Sequence, residues 1–410
     1  MSADRPNLFD GTMIRAETLD HPGGALDGLV VADFSRILAG PYMTMLLADL
    51  GATVIKVESP AGDETRQWGP PWDDGISTYY KSINRNKKSV VLDLRRDEDR
   101  SLARELARRA DVLVENLRPG TMARYGLGYE DVALDNPDVV YCSISGFGSQ
   151  PGGAHLPGYD LLGQAISGLM SVTGEPDGRP LKVGVAVVDV LCGLHACVGV
   201  LAALDARKTT GRGQLVEVDL LSSALSALVN QASGFLLAGA TPRAAGNAHP
   251  SVAPYETFAV ADGAIAIAVG SDRQFSVLCS VLDLGPLDED PAYATNAARV
   301  ANRPALVGQI EKRLATLDRR EALALLEAAG VPSGPVNTMD EAFAFAESIG
   351  LEPVWTSGGD DYVRAPFRLS GTPPEVRTPA PALDSSGEEI REWLRSPTAV
   401  NARRERSQQR

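Results

Sequence analysis

Between Leu29 and Glu58 the chain reads as strand, loop, helix and strand in immediate succession, an order that leaves few folds open. Leu29-Val30-Val31-Ala32-Asp33-Phe34 is an apolar run of strand length, followed by the loop Ser35 to Gly40. Pro41 suits the first turn of a helix, where its missing N–H removes no hydrogen bond. Met43, Leu46, Leu47 and Leu50 recur at helical spacing, and Gly51 stands where a left-handed cap ends a helix. Thr53-Val54-Ile55-Lys56-Val57-Glu58 is then a second strand. Two strands joined by one helix run parallel with a right-handed crossover. The alternation continues with a strand over 89–94, a helix over 98–110 and strands over 111–116 and 139–145. A Rossmann-like α/β domain follows, with ligands expected at the carboxyl ends of its strands.

The remaining segments predict a second, smaller α+β domain. A helical stretch runs from Asp160 to about Asp205, then an alternating strand over 215–220 and an apolar helix over 221–237. Asp262-Gly263 centres a hairpin over 257–269, and helices are expected over 273–282, 304–317 and 320–329. The expected organisation is a large domain over 1–205 completed by 385–410, a linker over 206–224, a small domain over 225–335 and a return segment over 336–384. Residues 363–383 are proline-rich and aperiodic, which suggests a segment lying across another surface, a second subunit being one option. A short helix near 388–394 and a charged tail end the chain.

A formal charge of −14 over 410 residues argues against nucleic acid as partner, because phosphate contacts need clustered Lys and Arg. Cys142, Cys192, Cys197 and Cys279 have neither disulfide-framework density nor zinc-ligand spacing, so no metal site is expected. Cys192 and Cys197 flank His195 inside an apolar helical run and read as buried thiols. The first residues lack an apolar signal core, and no stretch offers ~20 uninterrupted apolar residues, so a cytoplasmic protein without membrane contact is expected.

Five motifs carry chemical content. In Pro157-Gly158-Tyr159-Asp160, running into Leu161-Leu162-Gly163-Gln164, a carboxylate meets the start of a helix. There Asp160 serves either as an N-cap or as an ionised nucleophile for an activated acyl group. The loop Ser35-Arg36-Ile37-Leu38-Ala39-Gly40-Pro41 occupies the place of a nucleotide loop without the GxGxxG pattern, so it fits a platform for an adenine ring better than a pyrophosphate cradle. Asn84 to Lys88, with Arg95 and Arg96, form a basic cluster that either binds phosphates or is a solvated charge run. Asn116 and Arg124 follow a strand end, and His249 lies on the loop Gly246-Asn247-Ala248-His249-Pro250, open to an anionic substrate.

Taken together, these blocks resemble the family III (CaiB/BaiF) CoA-transferases over nearly the whole chain. The resemblance is carried by 31–41, 47–58, Thr65-Arg66-Gln67-Trp68-Gly69-Pro70, Asn84 to Ser89, Val114 to Gly120, Ser145 to Gly148, Gly158-Tyr159-Asp160 and Thr210 to Gln214. It implies two chains interlocked as a homodimer, with CoA and acyl-CoA as substrates and no prosthetic group, ATP or metal. By the same resemblance Asp160 is the catalytic carboxylate, passing through an aspartyl-CoA thioester, and Ile37, Leu38, Ala39, Leu92, Arg95, Asn116 and Arg124 contact CoA. Tyr159 stands where the α-methylacyl-CoA racemase branch has a histidine, and it cannot act as a base near neutral pH. The loop at 246–250 replaces the polyglycine lid of the formyl-CoA:oxalate transferases and resembles relatives that use succinyl-CoA or other dicarboxylic thioesters. Arg66 or His249 is the expected contact for the far carboxylate of such a substrate.

Overall fold

The computed structural model describes residues 23–396, so 397–410 of the segment expected to complete the large domain lies outside the described residues. The described residues divide into two compact units, one from 23–167, 184–232 and 354–396, the other from 168–183 and 233–353.

In the first unit the order is β1 (Val30–Asp33), α1 (Ala39–Asp49), β2 (Thr53–Glu58), α2 (Thr78–Asn84), β3 (Lys87–Val91), α3 (Asp97–Arg109), β4 (Val112–Glu115), β5 (Val140–Ser145), α4 (Asp160–Ile166), α5 (Val187–Thr210), β6 (Leu215–Asp219) and α6 (Leu220–Ala227). The six strands form one parallel sheet in the order β3-β2-β1-β4-β5-β6. Strand order reverses between β1 and β4, and a ligand crevice opens at the carboxyl ends of such a pair. On one sheet face Leu102 and Leu106 of α3 and Ile390 and Trp393 of the final helix (Gly387–Arg395) bury against Val30, Ile55 and Leu113. Against the other face α1 packs on α5.

By length and composition alone α5 is apolar enough to cross a membrane. Here Val188, Cys192, Ala196 and Val200 are buried, while Leu194 and Val198 are exposed. All four cysteines are buried free thiols.

The division of the chain differs from the expected one at several boundaries, 225–232 for instance belonging to the first unit rather than the second. The stretch 206–224 is not a linker, since it holds the end of α5 and the edge strand β6. That strand buries little, so its alternation is a weak signal. Residues 168–183 leave the expected long helix and join the second unit, as does 336–353, which carries the helix Met339–Ser348. In the second unit the strands Tyr255–Val260, Gly263–Ala268 and Ser333–Pro335 form an antiparallel sheet around Phe258, Ile265, Ile267, Phe275, Leu306, Ile310 and Leu326.

The proline-rich return docks on its own chain. Asn86 Oδ1 accepts from the N–H groups of Arg377 at 2.6 Å and Thr378 at 3.0 Å, and its Nδ2 donates to Glu375 O at 2.8 Å. Further along, the Asp384 carboxylate accepts from Val91 N at 2.7 Å, which covers the exposed edge of β3.

Candidate active site

The loop after β1 is held by side chains from three other segments. Asn116, just beyond β4, accepts from Arg36 N at 2.9 Å and donates to Arg36 O at 2.7 Å, imitating a peptide partner. Asp63 accepts from Ile37 N at 3.2 and 3.3 Å. Ile37 has φ +67°, the left-handed region that a β-branched residue rarely adopts, and these bonds hold it there.

Underneath this loop lie buried ion pairs, Lys56–Asp63 at 2.8 Å, Lys87–Asp33 at 3.2 Å and Arg66–Glu58 at 2.7 Å among them. Burial alone would raise Asp63, but Lys56 more than offsets it and keeps the carboxyl below its ordinary range. Lys87, desolvated despite Asp33, is pulled down to about 8. Lys56 also donates to Ser35 O at 3.1 Å, so the network fastens the loop from below.

The second half of the site lies where α4 meets the first turn of α5. Tyr159 occupies the cap position and Asp160 is the first helical residue, so Asp160 does not cap its own helix. Its Oδ1 instead accepts from the N–H groups of Val188 at 2.8 Å and Asp189 at 3.3 Å, among the unpaired donors that open α5. Its Oδ2 accepts from Gln164 Nε2 at 2.6 Å. Asp189 is the opposite case. Among the described residues nothing hydrogen-bonds its carboxyl, and burial first, then the Asp160 charge, push it up to about 7. Tyr79 on α2, half-buried and facing both charges, is pushed up to about 12 and remains a neutral phenol.

A cleft of about 140 Å³ joins the two halves. Its lining runs from Arg36, Ile37, Leu38 and Ala39 through Asn116, Leu117 and Arg118 to Tyr159 and Asp189. Asp160 is not in the lining. The structure therefore brings together four of the residues expected to contact CoA, namely Ile37, Leu38, Ala39 and Asn116. The others stand elsewhere. Leu92 is 2% exposed and belongs to the core, so its side chain is no ligand surface. Arg95 is exposed beyond β3 with its guanidinium on Asp93 at 2.8 Å, and Arg124 bonds Thr121 at 3.2 Å. In a parallel sheet both lie along the same carboxyl edge as the cleft.

Arg66 does not fit its expected role. Its guanidinium grips Glu58 with Nε at 2.8 Å and Nη2 at 2.7 Å and stacks on the Tyr80 ring at 3.8 Å, so it faces inward. His249 belongs to the second unit, where its Nδ1 accepts from Ser251 N at 3.1 Å and its ring lies 5.2 Å from that of Tyr255. A neutral ring with Nδ1 accepting carries its proton on Nε2.

Sequence reasoning missed Asp189 and Arg36, and noted Arg118 only as part of the strand-end motif at 115–120. Arg118 is an exposed cleft residue with no ion pair among the described residues. The signal for Asp189 was present, since it is the only charge between Leu181-Lys182 and Asp205, in an otherwise apolar run.

Comparison with known proteins adds the family. A profile described as CoA-transferase family III matches residues 26–386. The chain is 41% identical over 371 residues to the succinate–glutarate CoA-transferase of Agrobacterium fabrum, covering 87% of this chain and 92% of that protein. It is 39% identical to the acetyl-CoA:oxalate CoA-transferase of Acetobacter aceti, covering 92% of this chain and 98% of that one. Among solved structures, a CaiB/BaiF family protein from Brucella suis superimposes with a TM-score of 0.83 at 42% identity, covering 91% of this chain and 100% of that chain.

Proposed function

The chain belongs to CoA-transferase family III and is a CoA-transferase, and on that footing we propose that it exchanges CoA between a dicarboxylic thioester, succinyl-CoA first among them, and a carboxylic acid such as glutarate, with Asp189 as nucleophile. The observation that carries the choice of nucleophile is the contrast between the two carboxyls. Asp160 has its oxygens spent on three donors, whereas the Asp189 carboxyl meets no hydrogen-bond donor among the described residues and Asp189 lines the cleft.

In this reading an Asp189 oxygen attacks the thioester carbonyl, the C–S bond breaks and CoA thiolate leaves, forming a mixed anhydride. The thiolate attacks the Asp189 carbonyl of that anhydride and releases the first carboxylate, so an aspartyl-CoA thioester remains. The acceptor carboxylate attacks that thioester and displaces the thiolate, forming a second mixed anhydride. The thiolate then takes the new acyl group and Asp189 is regenerated. Protons balance without an external acid. Ionised Asp189 is disfavoured by burial and by Asp160, so each covalent step that neutralises it relieves that cost. Arg36 and Arg118 at the cleft suit anionic substrates. Incubating the protein with succinyl-CoA and a panel of carboxylic acids tests the reaction. New acyl-CoA masses are expected with glutarate, and a panel without any new mass contradicts the donor.

His249 is the remaining candidate for the far carboxylate, through Nε2–H. His249→Ala is expected to raise KM for glutarate about tenfold, the loss of one hydrogen bond to a charged group, with kcat nearly unchanged. An unchanged KM removes His249 from the site.

The reading includes an interlocked homodimer. Support comes from apolar side chains left exposed in the first unit: Leu161 and Ile166 on α4, Leu194 and Val198 on α5 and Leu225 on α6. Light scattering is expected to give twice the chain mass, and a single-chain mass at micromolar concentration contradicts it.

A further inference from the structure

Asp160 differs from most of the buried or half-buried carboxylates around it. Asp33, Asp49, Glu58 and Asp63 each meet a lysine or arginine. Among the described residues Asp160 meets none, and its three donors are two main-chain N–H groups and one side-chain amide. Glu115 is similar, held by Ser143 Oγ and Leu117 N, but it has no second carboxyl paired with it. The amide donor is Gln164, one turn along α4 from Asp160, fully buried and also donating to Val185 O at 3.3 Å.

We propose that Gln164 is a positioning residue, an uncharged donor that fixes Asp160 against the start of α5 without neutralising it, so that the Asp160 charge acts on Asp189. The inference rests on the reading of Asp189 as nucleophile. A lysine or arginine in the same place would hold Asp160 as firmly but cancel its field. With the field cancelled, Asp189 ionises more easily and becomes a weaker, less basic nucleophile. Among the described residues the charge that acts on Asp189 is that of Asp160, with no cation beside it, although Arg36 and Arg118 line the same cleft. Asp160 approaches from α4 and Tyr79 from α2, Cys192 lies one turn further along α5, and Asp219 before α6 reaches Cys192.

The test is the pH dependence of kcat/KM for succinyl-CoA in the full-length Gln164→Lys and Gln164→Met variants, with Asp189→Asn alongside. Gln164→Lys is expected to move the inflection toward acid by about one pH unit and to slow acylation about tenfold at pH 8. Gln164→Met keeps the volume and removes the donor, which leaves Asp160 free to turn from Asp189. It is expected to move the inflection the same way by a smaller amount. Should the buried lysine prevent folding, the methionine variant decides alone. An inflection at its original pH, with only kcat or the unfolding midpoint changed, means that Gln164 merely packs and overturns the inference. A covalent intermediate that survives in Asp189→Asn instead overturns the parent reading.

Discussion

Asp189→Ala is expected to abolish transfer, lowering kcat/KM by at least about 10⁴-fold, while Asp160→Asn retains measurable activity with an altered pH profile. The asymmetry follows from geometry. Among the described residues the Asp189 carboxyl has no hydrogen-bond partner and Asp189 lines the cleft, so no such bond has to be broken before it attacks. Asp160 would have to surrender the N–H groups of Val188 and Asp189 and the Gln164 amide. The pH profile gives a second signature. Asp189 must be ionised to attack, and its free-enzyme value is about 7, so kcat/KM is expected to rise with pH through neutrality and level above about pH 8. Asp160→Asn removes the lesser of the two causes of that elevation. The inflection therefore moves toward acid, yet not to the range of an exposed aspartate, because burial remains. An Asp160→Asn enzyme as dead as Asp189→Ala, with its structure intact, would return the nucleophile to Asp160.

The second large effect concerns stability. Asp63→Ala is expected to destabilise the first unit by about 3–5 kcal/mol, read from its urea unfolding midpoint. The substitution leaves the Lys56 ammonium, whose side chain is 0% exposed, without its nearest carboxylate. It also removes acceptors from Ile37 N, Thr65 N and Thr65 Oγ. A buried charge without a partner costs far more than the pair contributes, because the remaining group bears the whole desolvation penalty. Ile37 loses its main hydrogen bond in a strained conformation, so KM for the acyl-CoA rises as well. Asp63→Asn keeps acceptors but not charge and is expected to fall between the two. A loss below about 1 kcal/mol for the alanine variant would mean that water reaches Lys56 and the network is not closed.

Much of this architecture was legible before the structure. Thr53–Glu58 needed no correction, and the helix expected over 98–110 is observed over Asp97–Arg109, because local apolar spacing and global packing agree there. The break after Ser167 was not legible. Gly168 adopts φ +89° and the chain leaves the first unit there, while the breakers Gly174, Pro176, Gly178 and Pro180 lie several residues further on and do not mark the boundary itself. The hairpin Val354–Ser357 with Asp360–Val363 carries its signal in Gly358-Gly359, yet it falls within the stretch 336–384 assigned to a return segment. Docking of that return depends on Asn86 and residues some 290 positions away, a contact that no local pattern encodes.

The site was half legible. The Ile37–Ala39 loop and Asn116 lie at the switch point where strand order predicts a ligand. Asp160 was found because it sits in a recognisable turn, and Asp189 was passed over because it sits in a helix of buried small residues. Only the fold shows that one carboxylate occupies the donors at the start of α5 and leaves the other exposed to the cleft.

The most direct measurement is to map the covalent intermediate. Incubated with succinyl-CoA and treated with hydroxylamine, the aspartyl thioester becomes a hydroxamate that survives digestion. Lys182 separates the two candidates, so trypsin places Asp160 and Asp189 on different peptides. The account expects the mass change on the peptide that begins at Val183 and contains Asp189. A hydroxamate on the peptide that contains Asp160, or none on either, would contradict it.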